Sequence, residues 1–301
     1  MDLEFFYHQQ LNQWPTVQSK YVDLNMVQKK GFSFEDFEVW VHHIPSRIVS
    51  TSAPIEAEKI QARPCPLCEE NRPKQQLART WGGIYSVALN PYPILPKHFT
   101  VMDQEHVPQG IAYRSIDLIH FAAEHPGYLS LYNGPQSGAS IPDHFHFQAV
   151  PKGHLPLEND FLRVQTTEIF TDKELRVYYL RNYLRDCFVL ESRSAKRAQY
   201  WVEEKIWEEI GLRTPGKGEE KEPMMNLVFS YEPKQKGIRV FIFPRRKHRP
   251  SQYYEIGDER LMVSPGTIDM AGILIAPRKE DFEKINKYNI TDIYKQVSFK
   301  Q

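Results

Sequence analysis

An α+β fold, with antiparallel sheets and helices laid against them, is what the chain predicts, and three observations carry that expectation. Strand-like segments outnumber helical ones, aromatic residues make up 13 % of the 301 residues, and 22 prolines stand against 15 glycines. Such a composition belongs to a loop-rich mixed fold rather than a helical bundle. A chain of this length also buries a substantial core.

In chain order, residues 37 to 44 and 84 to 89 read as strands, and Asn90-Pro91-Tyr92-Pro93 ends the second. Residues 98 to 102 and 128 to 132 continue the pattern. Between them, Ser115 to His125 predicts a helix with a serine cap and a Pro126-Gly127 stop. Cys187 lies in a segment that reads as a buried strand, so its thiol is assigned to packing. Ala198, Val202, Ile206 and Ile210 recur at four-residue spacing and predict a helix over 195 to 210, terminated by Gly211, with its stripe in the core. Arg213 to Pro223 is rich in Gly, Lys and Glu and reads as a surface loop. Strands are expected again at 226 to 231, 238 to 244, 260 to 263 and 271 to 277, and a last helix at 279 to 288. These segments divide the chain into an N-terminal half, 1–190, and a smaller C-terminal half, 191–301, without an internal sequence repeat.

Lys plus Arg and Asp plus Glu number 38 each, so no global charge draws the chain to nucleic acid or a membrane surface. Any basic function is local. No apolar run approaches the roughly 18 residues of a membrane span. The acidic start, Met1-Asp2-Leu3-Glu4, lacks the basic and apolar segments of a signal peptide, and a cytoplasmic protein is expected.

Chemistry concentrates in Asp143-His144-Phe145-His146-Phe147-Gln148. In an extended strand His144, His146 and Gln148 share one face while the phenylalanines point the other way. Upstream, Asn133 to Ser140 is a Gly/Ser-rich loop; Ser137, Gly138, Ala139 and Ser140 are small enough for backbone N–H groups to approach an anion. A neutral imidazole is a good nucleophile toward phosphorus, and His146, the central member, fits that role if its other ring nitrogen is held by a hydrogen bond. A carbonyl of the 133–140 loop is the expected partner. Gln148 donates to a phosphate oxygen but does not shuttle protons near neutral pH, which favours transfer over hydrolysis. Arg47, Arg72 and the run Arg245-Arg246-Lys247-His248-Arg249 are candidates for phosphate, and Asn133 for positioning a nucleotide. Cys65-Pro66-Leu67-Cys68 is either half of a metal site or a redox pair.

Taken in order, Cys65-x-x-Cys68, Asn71-Arg72-Pro73, Asn90-Pro91-Tyr92, the Gly/Ser loop and His144-Phe145-His146-Phe147-Gln148 resemble the galactose-1-phosphate uridylyltransferases and their relatives in the histidine-triad superfamily. The residues after His146 and the segment Arg239 to Pro250 are similar to the phosphorylase branch, that of GDP-L-galactose and diadenosine tetraphosphate phosphorylases, including a bacterial group within it. The likeness extends over roughly residues 45 to 285; Asp143, standing between Pro142 and His144, departs from the uridylyltransferase pattern. The resemblance implies histidine-triad-like sheets in two halves and a nucleotidyltransferase or phosphorylase that passes a nucleotidyl group through His146. It implies a nucleotide sugar or dinucleoside polyphosphate as donor, phosphate or a sugar phosphate as acceptor, and a dimer as the common assembly. It also implies a structural zinc held by Cys65, Cys68, His106 and His144, with His98 a rival to His106. A histidine-triad hydrolase and a non-catalytic, zinc-stabilised nucleotide-binding protein are the competing readings.

Overall fold

The computed structural model describes residues 1–212, 222–235 and 237–299. Most of the polar segment 213–223, expected to be a loop, lies outside the described residues. Among those described, ten strands form one continuous sheet: β3 (Ala78–Trp81), β4 (Tyr85–Leu89), β5 (Phe99–Asp103), β6 (Tyr128–Asn133), β7 (His146–Pro151), β8 (Thr166–Thr171), β9 (Leu175–Leu180), β10 (Phe188–Ser192), β11 (Met225–Glu232) and β12 (Gly237–Pro244). Their spatial order is β3-β4-β5-β7-β6-β11-β12-β10-β9-β8, and every pairing is antiparallel.

Counted inward from either edge the order is first, second, third, fifth, fourth. In each half the third strand is followed by a helix, Ser115–Glu124 in one and a continuous helix over 195–209 in the other. The sheet is therefore a β-β-β-α-β-β unit used twice and joined across β6 and β11. The order and pairing of the elements repeat while loop lengths and side chains do not, which is why no sequence repeat announces the duplication.

One face of the sheet is covered by the two helices of the repeated units and by the N-terminal helices Leu3–Gln13 and Pro15–Asp23, with Phe6, Phe121, Phe145, Phe147, Trp201 and Trp207 fully buried among them. Each such side chain contributes about 2–3 kcal/mol by leaving water. The other face packs on a second, three-stranded sheet and the C-terminal helices. In that small sheet β1 (Gln28–Ser33) pairs antiparallel with β2 (Glu38–His43), and β13 (Ile273–Ala276) pairs with β2 in parallel, so the expectation of antiparallel pairing fails there. The chain returns from its far end to close the N-terminal strands.

Several local expectations are corrected. Ser115 does not cap its helix; its N–H and Oγ both donate to Glu203 Oε1, at 3.0 and 2.5 Å, so a carboxylate from the second helix takes the capping role. Residues 260 to 263 bury Leu261 and Val263 but form no strand, because no neighbouring strand offers a ladder; Met262 N–H donates instead to Asp281. The last helix breaks after Lys284. Asn286 caps a new one, Lys287–Val297, accepting from the N–H groups of Tyr288 and Asn289. Gly211, at φ 75°, ends the 195–209 helix as its sequence predicts. No helix among the described residues is long and apolar enough to cross a membrane.

Candidate active site

Strand β7 begins only at His146, because His144 sits in the bend before it. The expected convergence of three side chains on one strand face is therefore replaced by a division. His144 turns into a cluster with Cys65, Cys68 and His106, whereas His146 and Gln148 line a cavity with Arg47, Asn133, Gly138–Ser140, His248, Arg249 and Asp269.

At the centre of that cavity the tautomer of His146 is set by the main chain. His146 Nδ1 lies 2.9 Å from the carbonyl oxygen of His144, to which it donates, and this leaves Nε2 with its lone pair. The partner is thus His144 itself, not the 133–140 loop; the i−2 carbonyl is reachable because the chain bends before the strand starts. Burial, reinforced by the nearby His144, lowers the His146 pKa to about 4, so the ring is neutral near pH 7.

Gln148 is oriented by a residue first considered as a metal ligand. His98 Nδ1 accepts the N–H of Ile94 at 3.3 Å, so its proton is on Nε2, 2.6 Å from Gln148 Oε1. With its oxygen so engaged, Gln148 presents its NH2 group to the cavity. Burial holds His98 at about 3, which keeps this tautomer.

The loop after β6 is built with equal care for direction. Asn133 Oδ1 accepts from Asn226 Nδ2, Thr267 N–H and Thr267 Oγ1, at 2.9, 2.7 and 2.9 Å. Its NH2 has no partner among the described residues and lines the cavity. Gly138 has φ +94°, and a Cβ there would come 2.6 Å from Gly266 Cα, so only glycine fits. The N–H groups of Gly138, Ala139 and Ser140 have no acceptor among the described residues. Three free amides beside a neutral imidazole form a cradle for an anion. Ser137 is different: its N–H closes a turn onto Gly134 at 2.8 Å and its Oγ is buried away from the cavity.

The basic residues separate sharply. Arg47 lines the cavity, one nitrogen donating to the Tyr92 carbonyl at 2.9 Å while its buried Nε has no partner; burial lowers it to about 10, so it remains a cation. Arg72 lies in another cavity, with Asp103 and Gln104. Arg245 is a clamp inside the fold, donating to Val297, Asn226, Pro265, Lys247 and His248 and keeping no N–H for a substrate. Arg246 donates to the carbonyls of Gln296 and Lys295 at the end of the last helix. From that run His248 and Arg249 reach the cavity instead. Gln109 went unnoticed in the sequence: its Oε1 accepts the N–H of His146, and its Nε2 donates to the carbonyls of Asn133 and His146, tying β6 to β7 beside the His146 ring. A loop glutamine without periodicity carries no signal until those three groups are adjacent.

Ligand atoms of Cys65, Cys68, His106 and His144 all lie within 4.8 Å of one another. Cys65 Sγ is 3.4 Å from His144 Nδ1, and Cys68 Sγ is 3.2 Å from His106 Nδ1 and 3.6 Å from His144 Nδ1. A tetrahedron with zinc–ligand bonds of about 2.0–2.3 Å has edges of about 3.3–3.8 Å, so two thiolates and two imidazoles at these spacings fit the ion. His144 Nε2 donates to the Asp103 carbonyl at 2.9 Å, which leaves Nδ1 as the ligand atom. Burial raises the thiols, but hydrogen bonds from His144 and the N–H groups of Leu67 and Cys68 bring Cys65 to about 7, whereas burial and the neighbouring Cys65 push Cys68 to about 11. A cation between them would let both ionise. His98, bound to Gln148, is no part of this cluster.

Three buried histidines and the partly buried His248 give the protein a pH signature. Burial lowers His42, His98, His146 and His248 to about 4, 3, 4 and 3. The unfolded chain takes up these protons near pH 6.5 and the folded chain does not, so this stability is complete above about pH 6.5 and is lost as pH falls toward 4. Asp269, raised to about 6 by burial, acts in the opposite sense. Between pH 7.5 and 5.0 the unfolding free energy is expected to fall by on the order of 2 kcal/mol per histidine, read as a lower urea midpoint at the acidic pH. Equal midpoints would contradict the neutral, buried imidazoles.

In the second unit, β12 sends Ile238, Val240 and Ile242 to the helix-covered face, as β7 sends Phe147 and Ala149. On its other face it carries Arg239, paired with Glu191 at 2.7 Å, and Phe241. The second unit carries no histidine, so the His-x-His segment belongs to the first.

This repeated unit and the His-Phe-His-Phe-Gln segment agree with the resemblance to the histidine-triad superfamily, in its branch of uridylyltransferase-like proteins and phosphorylases. More narrowly, residues 161–301 match the family of GDPGP1-like C-terminal domains, and residues 6–151 match a family described as a domain of unknown function, DUF4922. No curated protein matches in sequence. Among solved structures, yeast Ap4A phosphorylase Apa2 is similar at 17 % identity and a TM-score of 0.62, covering 96 % of this chain and 98 % of its own. Its complex with Ap4A gives 17 % identity, the same coverage and a TM-score of 0.58. An ADP-glucose phosphorylase from Arabidopsis thaliana with bound ADP-glucose gives 12 % identity, 90 % and 100 % coverage, and a TM-score of 0.38. The likeness to Apa2 establishes the α+β fold.

Proposed function

We propose that the protein is a nucleotidyltransferase of the phosphorylase type, acting on a nucleoside diphosphate sugar through a covalent nucleotidyl-His146 intermediate. The observation that carries this reading is the hydrogen bond from His146 Nδ1 to the His144 carbonyl in the bend before its strand, which leaves the lone pair of Nε2 free in a residue lining a cavity with unpaired amides. In the first step Nε2 bonds to the α-phosphorus and the bond to the bridging oxygen breaks, releasing a sugar phosphate. Gln148, the amides of Gly138 to Ser140 and Arg47 stabilise the charge on the phosphoryl oxygens. In the second step an oxygen of inorganic phosphate or of a hexose 1-phosphate attacks the same phosphorus and His146 leaves.

An acceptor phosphate arrives already ionised and needs no base. Water does, and Gln148 cannot serve, since its oxygen is bound to His98 and an amide does not take a proton near neutral pH. A zinc ion on Cys65, Cys68, His106 and His144 would fix the residue whose carbonyl fixes His146, an orienting role. Incubation with GDP-, UDP- and ADP-hexoses and with diadenosine tetraphosphate, with and without phosphate, tests the reading. Turnover is expected only with the acceptor present; release of nucleoside monophosphate in its absence would point to a hydrolase, and no turnover with any donor would overturn the proposal.

A further inference from the structure

A second cavity, about 520 Å³ in volume, opens on the far side of the segment Ile94 to Pro96, and Ile94 lines both it and the reaction cavity. Its floor is one face of the small sheet. Gly31 of β1 and Ile273 of β13 both stand opposite Trp40 of β2, and Lys29 stands opposite His42. The next residue of β13 on that face, Ile275, lines the reaction cavity, so this sheet face runs from one cavity to the other.

Two features of this floor have no structural employment. Trp40 is laid against the backbone of β1: a Cβ at Gly31 would come 3.1 Å from its ring, and its Nε1 donates to Glu38 Oε2 at 3.3 Å. So anchored, it still leaves 37 % of its surface exposed. Beside it His42 is 6 % exposed, yet its Nδ1 has no hydrogen-bond partner. An anchored aromatic face and an unsatisfied buried imidazole together mark a place where a ligand completes the contacts.

The rest of the lining identifies the ligand's chemistry. Asn25, Asn159 and Glu38 line the same cavity as the indole and add two carboxamides and a carboxylate, beside Lys29, His154 and Arg163; Asp160, also there, is taken up by the Glu38 N–H, Arg163 and Tyr183. Nucleobase pockets are mostly apolar; a ring that stacks one C–H face on tryptophan and offers hydroxyls to acidic and amide groups around its rim is a pyranose. We propose that this cavity holds the hexosyl ring of the nucleotide sugar, whose phosphates lie at His146 on the other side of Ile94. The inference rests on the nucleotide-sugar reading above and adds where the sugar is recognised.

Calorimetric titration of the His146→Ala protein, which binds without turning over, separates the two. The probes are GDP-, UDP- and ADP-glucose and the matching nucleoside diphosphates. Trp40→Ala is expected to weaken the nucleotide sugar about tenfold and to leave the nucleoside diphosphate unchanged. Asn159→Ala, at an exposed position, is expected to do the same to a smaller extent and carries the test alone if the tryptophan variant fails to fold. Equal losses for both ligand classes, or no loss for either, would overturn the sugar site while leaving the proposed reaction intact. Binding of no nucleotide sugar would overturn both.

Discussion

Replacing His146 by alanine is expected to remove nucleotidyl transfer altogether, with kcat falling by at least about a thousandfold, and to abolish the covalent adduct that intact mass spectrometry detects on the wild-type protein. The size of the effect follows from the role. Among the residues lining the cavity, His98 has both ring nitrogens engaged, and His248 is held neutral by burial and donates to the Gln136 carbonyl, so His146 is the ring whose free nitrogen lies beside the anion cradle. Folding should survive, since removing a buried neutral ring forfeits one hydrogen bond and some packing rather than a charge. Nucleotide affinity should also survive, because Arg47, Asn133 and the loop amides, which line the cavity, are the proposed phosphate partners and remain without it. A wild-type protein that turns over donors without an adduct, or an alanine variant that retains full activity, would sink the covalent mechanism.

The second large effect is expected from the metal cluster. Purified without chelator, the protein should carry about one equivalent of zinc, and Cys65→Ser or exhaustive chelation should lower the melting temperature by roughly 10 °C. Structural zinc sites in isolated peptides are worth an apparent 10–16 kcal/mol, and in a domain with two large hydrophobic layers only part of that is at stake. The cluster joins three distant stretches of chain, Cys65 and Cys68 before β3, His106 after β5 and His144 before β7, so losing the ion releases all three. Activity should fall about 10–100-fold as well, because the His144 carbonyl that holds His146 Nδ1 is fixed from the other side by the ring of the same residue. Metal content well below one equivalent, or stability and rate indifferent to chelation, would refute the site.

How far the site is legible before folding differs from residue to residue. Cys65-x-x-Cys68, His-x-His and the glycine-rich loop are read directly, because metal ligation and anion binding demand particular residue types at short spacings. Arg245 and Arg246 look like phosphate ligands for the same reason, but a run of arginines is equally what the fold needs to satisfy the carbonyls around Pro265 and the end of the last helix. Charge says that a group binds an acceptor; only the neighbours say which. His98 and Gln109 went the other way. Both act by holding another side chain or strand, across 50 and 37 residues of sequence, and nothing local records that partnership.

The elements follow the same rule. Strands β4 to β7 and β10 to β12 are announced by apolar and aromatic runs between turn residues, and Gly211 announces a helix end, because these depend on backbone sterics and a pattern of two or 3.6 residues. By itself the sequence determined the α+β class and the chemistry-bearing residue types. Tertiary structure alone decided that a single unit is used twice in one sheet, that β13 returns in parallel to β2, and that His144 and His146 turn to different tasks. Those outcomes depend on which distant groups meet, and hydrogen bonds and ladders between residues far apart leave no periodic trace in the chain that makes them.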